Sequence, residues 1–141
     1  MKRLVVDANT LVSGVGSRTK NTAPVLIVDA MLDTDFEAVV CPRLLAEIAR
    51  GLRKPYFRKR VPAERIDGIV AAVESIATIH PDPTAIEPLL RDPDDDYLVA
   101  LAHQTGADAI VTGDKDLLEH PGGLQPPAID ARAACKLLGL I

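Results

Sequence analysis

The stretch Leu4–Thr10, LVVDANT, decides the fold. Three strand-forming apolar residues run into an acid, Asp7, followed by Asn9 and Thr10, which can cap whatever helix or turn comes next. A buried parallel strand ending in a carboxylate places that charge in the crevice where open α/β sheets bind their ligands. Asp7 is therefore the first residue implicated in chemistry.

Outward from it, strands and helices alternate. Ser13 to Lys20 is polar and Gly-containing and reads as a mobile loop carrying Arg18. Ala23–Leu32 reads as a helix, with Asn21 or Thr22 as cap and Pro24 in its first turn, and Phe36–Val40 as the second strand. Pro42–Leu52 follows as a helix with the apolar stripe Leu44, Leu45, Ile48 and Leu52, and Pro62–Ala77 as another, with Ile66, Ile69, Val70 and Val73 on one face. Thr78–Pro88 is proline-rich and is expected to cross the sheet edge as a short strand and turn. Asp92–Thr105 predicts a helix with Asp92 as N-cap, Pro93 at the first position and Gly106 past the end. Ala109–Thr112 is a strand, Asp114–Leu118 an acidic turn or short helix, Ala128–Ile129 an edge strand and Ala131–Leu138 a closing helix. This alternation implies an α/β fold with a mostly parallel sheet covered on both faces, in a single domain spanning residues 1–141.

The 141 residues are 48% hydrophobic but only 3% aromatic, without Trp, so the core must be built from Val, Ile, Leu and Ala. A net charge of -4 argues against nucleic-acid binding by a globally positive surface and leaves room for a local basic patch. Cys41 and Cys135 are too far apart for a CxxC motif and read as reduced thiols of a cytoplasmic protein. No membrane span or export signal is indicated.

Carboxylates fall at or near element ends in four places: Asp7, Glu47, the run Asp92–Asp96 (DPDDD), and Asp114 with Asp116. Each has a plain explanation. Asp7 can cap its turn, and Glu47 sits off the centre of its helix's stripe, where a solvated flank is favoured. Acids opening a helix gain roughly 0.3–1 kcal/mol each from its dipole, and Asp114 and Asp116 suit a turn. The dipole accounts better for Asp92, Asp94 and Asp95 than for Asp96, which starts the apolar run Tyr97–Ala102 and is expected to point at the sheet edge. Coincidence in four elements favours a shared site. Clustered carboxylates need a compensating cation, and hard oxygen donors suit Mg2+ or Mn2+. His80, His103 and His120 show no metal-ligand spacing, and Ser13 and Ser17 lack a nucleophile-elbow context.

The blocks VVDANTLVSG (5–14), RLLAEIARGLRKP (43–55) and RDPDDDYLVALAHQTGADAIVTGDKDLL (91–118), in that order, resemble the PIN-domain nucleases, most closely the ribonuclease toxins of bacterial toxin–antitoxin pairs. The resemblance implies a three-layer α/β/α fold and metal-dependent cleavage of RNA. It carries the family's acidic quartet onto Asp7, Glu47, Asp96 and Asp114 as catalytic metal ligands, with Asp116 as a further acid and Asn9, Thr10 and Thr112 as supporting polar residues. It also implies a homodimer and an inhibitory antitoxin.

Arg50, Arg53, Lys54, Arg58, Lys59, Arg60 and Arg65 gather around Tyr56 and Phe57, a combination that can hold phosphates and stack bases. A solvated helix end or a protein-facing surface is weighed slightly ahead of RNA contact for this patch. Two rivals stand beside the ribonuclease. A haloacid dehalogenase-like phosphatase would need an Asp two positions after Asp7, where this chain has Asn9, and leaves Glu47 without a role. A PIN-like module that binds RNA or protein without cutting is opposed by the presence of all four acids.

Overall fold

Leu4–Val6, Ala38–Val40 and Ala109–Val111 are each buried without interruption, as strands covered on both faces must be. In the computed structural model, which describes residues 1–17, 21–57 and 60–141, they form the centre of the sheet. Arg18, Arg58 and Lys59 lie outside the described residues. The elements run β1 (Arg3–Val6), α1 (Ala8–Gly16), α2 (Ala23–Leu32), β2 (Glu37–Val40), α3 (Pro42–Leu52), α4 (Ala63–Ile76), β3 (Thr78–Ile79), α5 (Asp96–Gln104), β4 (Ala109–Val111), α6 (Lys115–Leu118), β5 (Ala128–Ile129) and α7 (Ala131–Leu137). The strand order is β3-β2-β1-β4-β5, and every neighbouring pair is parallel.

That order positions the site. From β1 the chain steps outward through β2 to β3, then returns past β1 and continues to β4 and β5. Right-handed crossovers running in opposite directions put their helices on opposite faces, so a crevice opens where the direction reverses, between the C-terminal ends of β1 and β4. On one face α1 packs against α2 and α3, and α2 against α7; α5 packs on β1 and β4. The core is aliphatic as composition requires, with Tyr97 and Phe36 its two fully enclosed aromatics.

Two expectations need correction. Ser13–Gly16, read as loop, belongs to α1, whose N-cap is Asp7 and whose Leu11 and Val12 are buried. Gly14 and Gly16 are there for contact: a Cβ on Gly14 would collide with the Pro24 carbonyl and Val28, and one on Gly16 with the Phe57 ring. Close helix packing and loop flexibility both select glycine, and composition does not separate them. The second correction concerns the expected helix Asp92–Thr105. Asp92 caps only a 3-10 turn, Pro93–Asp95, its Oδ1 accepting from the Asp94 amide at 3.0 Å, and α5 begins at Asp96.

Candidate active site

The strand ends supply two acids held as a unit. Asp7 follows β1, and its amide donates to the Val111 carbonyl of β4 at 2.9 Å. Its Oδ1 accepts from the Thr10 amide at 2.8 Å, as a helix cap, and its Oδ2 from the Thr112 hydroxyl. Thr112 is fully buried and continues the ladder of β4, donating its amide to the Ile129 carbonyl at 2.9 Å. The same hydroxyl accepts from the Asp114 amide at 3.0 Å, so one side chain joins both strand-end acids. Asp114 in turn caps α6, its Oδ1 accepting from the Asp116 amide at 2.9 Å.

Two helices complete the wall. Glu47 of α3 accepts at Oε2 from the Tyr97 hydroxyl, at 2.7 Å. Burial, and then the Glu47 carboxylate, push the Tyr97 hydroxyl far above its ordinary range, which fixes it as a donor. The Arg43 guanidinium stacks 4.3 Å from the Tyr97 ring centroid and donates from Nη2 to the Asp94 carbonyl at 2.9 Å. Asp7, Glu47 and Asp114 line one hollow of about 250 Å³, together with Asn9, Arg50 and Lys54.

The fourth acid in that hollow is Asp95, not Asp96. Its carboxyl is pushed up to about 6 by burial first, then by the negative charges of Asp92, Asp114, Glu47 and Asp7. Asp96 is 4% exposed, and its Oδ1 accepts from the amides of Leu89 and Leu90 at 3.1 and 2.8 Å. It lines a separate hollow of about 370 Å³ beside Leu89, Val99, His103 and Leu124. Successive residues of a helix diverge by about 100° around its axis, so at the start of α5 only one of the two can face the strand ends. The backbone amides of the crossing segment claimed the other.

Asp116 does not line the acidic hollow; its Oδ2 pairs with Arg91 Nη2 at 3.3 Å. Thr10 is buried and serves Asp7 through its amide. In the basic patch Arg50 and Lys54 reach the hollow, whereas Arg53 faces Asp67 at 3.7 Å. Arg60 packs 4.9 Å from the Tyr56 ring centroid and donates to the Gly16 carbonyl at 3.4 Å, and Arg65 is exposed on α4. Tyr97 and Arg43 carried no sequence signal of a role at the site: one reads as core within an apolar run, the other as a surface cation.

The donors are carboxylate oxygens from α3, the 3-10 turn and two strand ends, the chemistry that suits Mg2+ or Mn2+. Among the described residues no three acidic, His or Cys side chains are already gathered around one point, so this is an open cleft whose carboxylates stand apart. Mutual repulsion accounts for that spacing.

A family model described as PIN domain matches residues 3–116. The crystal structure of PAE2754 from Pyrobaculum aerophilum is similar in fold, with a TM-score of 0.67 at 18% identity over 99% of this chain and 91% of that one. No curated protein matches the chain.

Proposed function

Because the chain belongs to the PIN-domain family, we propose that residues 1–141 form one nuclease domain that hydrolyses RNA phosphodiesters with Mg2+ or Mn2+. The observation that carries this is the joining of Asp7 and Asp114 through the Thr112 hydroxyl, in a hollow shared with Glu47 and Asp95. In the reaction a water oxygen attaches to phosphorus and one ester P–O bond breaks, leaving a phosphate on one fragment and a hydroxyl on the other.

Asp7, Glu47, Asp95 and Asp114 would hold the cation, with Asp96 in the fold and Asp116 in reserve beside Arg91. The cation supplies Lewis acidity, acidifying water and offsetting charge that grows on the phosphate. The chain's own part is geometric. Thr112 fixes the separation of the strand-end carboxylates, and Tyr97 occupies one oxygen of Glu47 and leaves Oε1 to face the cleft and Arg50, 3.9 Å away. Arg50 and Lys54 draw the RNA backbone toward an otherwise anionic wall. Of the outlying patch, Arg53 and Arg60 are held in local pairs.

The likeness of three sequence blocks to toxin nucleases supports the finer reading of a toxin that pairs with an antitoxin and with a second copy of itself. Two buried free thiols, Cys41 and Cys135, fit a cytoplasmic setting. No described helix is long and apolar enough to cross a membrane. The rival that a specific observation favours is a module that binds RNA without cutting, since among the described residues no three acids converge. Cleavage of a fluorescent single-stranded RNA in Mn2+ separates the two. Asp7→Asn is expected to lose at least about 100-fold in rate, as removal of a charge stabilising the transition state does. Equal activity of the variant would point to a contaminating nuclease and end the enzymatic reading. With the wild type active and the variant inactive, sequencing RNA ends after brief expression would identify the target.

A further inference from the structure

A second hollow, of about 590 Å³, adjoins the acidic one and shares Asp7, Asn9 and Asp114 with it. Its remaining walls are Thr10 and Ser13 of α1, Pro24 of α2, Gly113 beside Asp114, and the α7 cap Asp130 with Ala131 and Arg132. The two differ in what they can accommodate. The smaller one, about 250 Å³, is lined by four carboxylates with Arg50 and Lys54 and falls short of the roughly 300–1,000 Å³ of pockets that enclose a small organic ligand. The larger lies inside that range and, besides the carboxylates of Asp7, Asp114 and Asp130 and the Arg132 guanidinium, is lined by hydroxyl, amide and small apolar groups.

We propose that an RNA strand lies across both hollows, with the scissile phosphate over Asp7 and Asp114 where they meet and the adjoining nucleotide in the larger one, its outer phosphate on Arg132. This rests on the nuclease reading and adds a subsite to it. Arg132 is exposed and available: Arg3, Arg50, Arg53 and Arg91 face carboxylates at 2.6, 3.9, 3.7 and 3.3 Å, and Arg132 faces none among the described residues. The one new acid in the hollow, Asp130, has its Oδ1 engaged by the Ala133 amide at 2.8 Å. Asn9 and Ser13, both exposed, present donors and acceptors suited to a ribose. Cations then flank the acids on both sides, Arg50 and Lys54 on one and Arg132 on the other, so an extended polyanion is guided over the anionic centre. Arg132 lies on α7, beyond the residues 3–116 that match the family.

The test compares the full chain with Arg132→Gln on single-stranded RNA of two, four and eight nucleotides, by fluorescence anisotropy in Ca2+ and by cleavage in Mn2+. A dinucleotide has no outer phosphate, so the variant should match wild type there and lose about ten-fold in affinity and kcat/KM on the longer strands, the size of one charge-assisted phosphate contact. The slope of log affinity against log salt should fall by about 0.7, the value for one phosphate on a single strand. Mn2+ affinity, read by electron paramagnetic resonance, should not change. Loss that is equal at all lengths, or no loss at any, overturns the subsite and leaves the nuclease reading standing. Length-dependent binding through Arg132 without any cleavage keeps the subsite and removes the nuclease. A wild-type protein that neither binds nor cuts any of the three removes both.

Discussion

The two hollows on either side of the α5 N-terminus hold consecutive acids and treat them in opposite ways. Asp96 is almost completely enclosed, and two backbone amides answer its charge. Asp95 is half-buried, accepts from no backbone amide among the described residues, and has its pKa raised by burial and by four other carboxylates. A buried charge that the backbone satisfies is holding the chain together, whereas one left crowded by like charges awaits something from outside. On the reading proposed above, depth of burial is therefore the wrong cue for choosing the functional member of such a pair.

The largest expected effect inverts the roles of the two acids under one change. Asp95→Asn should cut Mn2+-dependent cleavage by at least about 100-fold. Asp96→Asn keeps an acceptor oxygen for both amides and should retain activity. Asp96→Ala strips both amides of their partner and should cost on the order of 3 kcal/mol, seen as a fall in Tm of roughly 10 °C. An inactive Asp96→Asn beside an active Asp95→Asn would reverse the comparison.

Smaller in effect is Thr112→Val, which leaves the Asp114 amide and one Asp7 oxygen without their shared partner. About 1–2 kcal/mol of stability and roughly ten-fold in cleavage rate should go together. A loss of stability without loss of rate would show that the strand-end acids need no joint.

The smallest effect is in pH dependence. Folding raises Asp95 from 3.8 to about 6, so between those values the folded protein binds more protons than the unfolded chain. The contribution of Asp95 to stability is therefore greatest below about pH 4 and is lost as pH rises through 6. Urea midpoints in EDTA at pH 4.5 and 7.5 should show this decline in wild type and lack it in Asp95→Asn. Identical profiles would mean that the crowding is relieved by solvent.

Much of this was legible in sequence. Continuous apolar runs gave β1, β2 and β4, and the stripe Leu44, Leu45, Ile48 and Leu52 gave α3. Asp7 and Asp114 fall just past β1 and β4, where periodicity locates strand ends well, whereas Glu47 lies midway along α3, where the same periodicity favours a solvated flank. That Asp95 rather than Asp96 lines the hollow with them was not legible, because a 3-10 turn at Pro93–Asp95 shifts where the helix starts, and apolar periodicity does not report that shift. Pairing of Asp116 with Arg91 and of Arg53 with Asp67 depends on contacts between separate elements, which no local pattern encodes.

Both outermost strands, β3 and β5, are only two residues long. So little unpaired backbone is left at the rims that another polypeptide gains almost no ladder by aligning with them. Any partner of this chain would have to be held by side chains on the helical faces, where complementarity must be built residue by residue, and that would favour a dedicated partner over a general one.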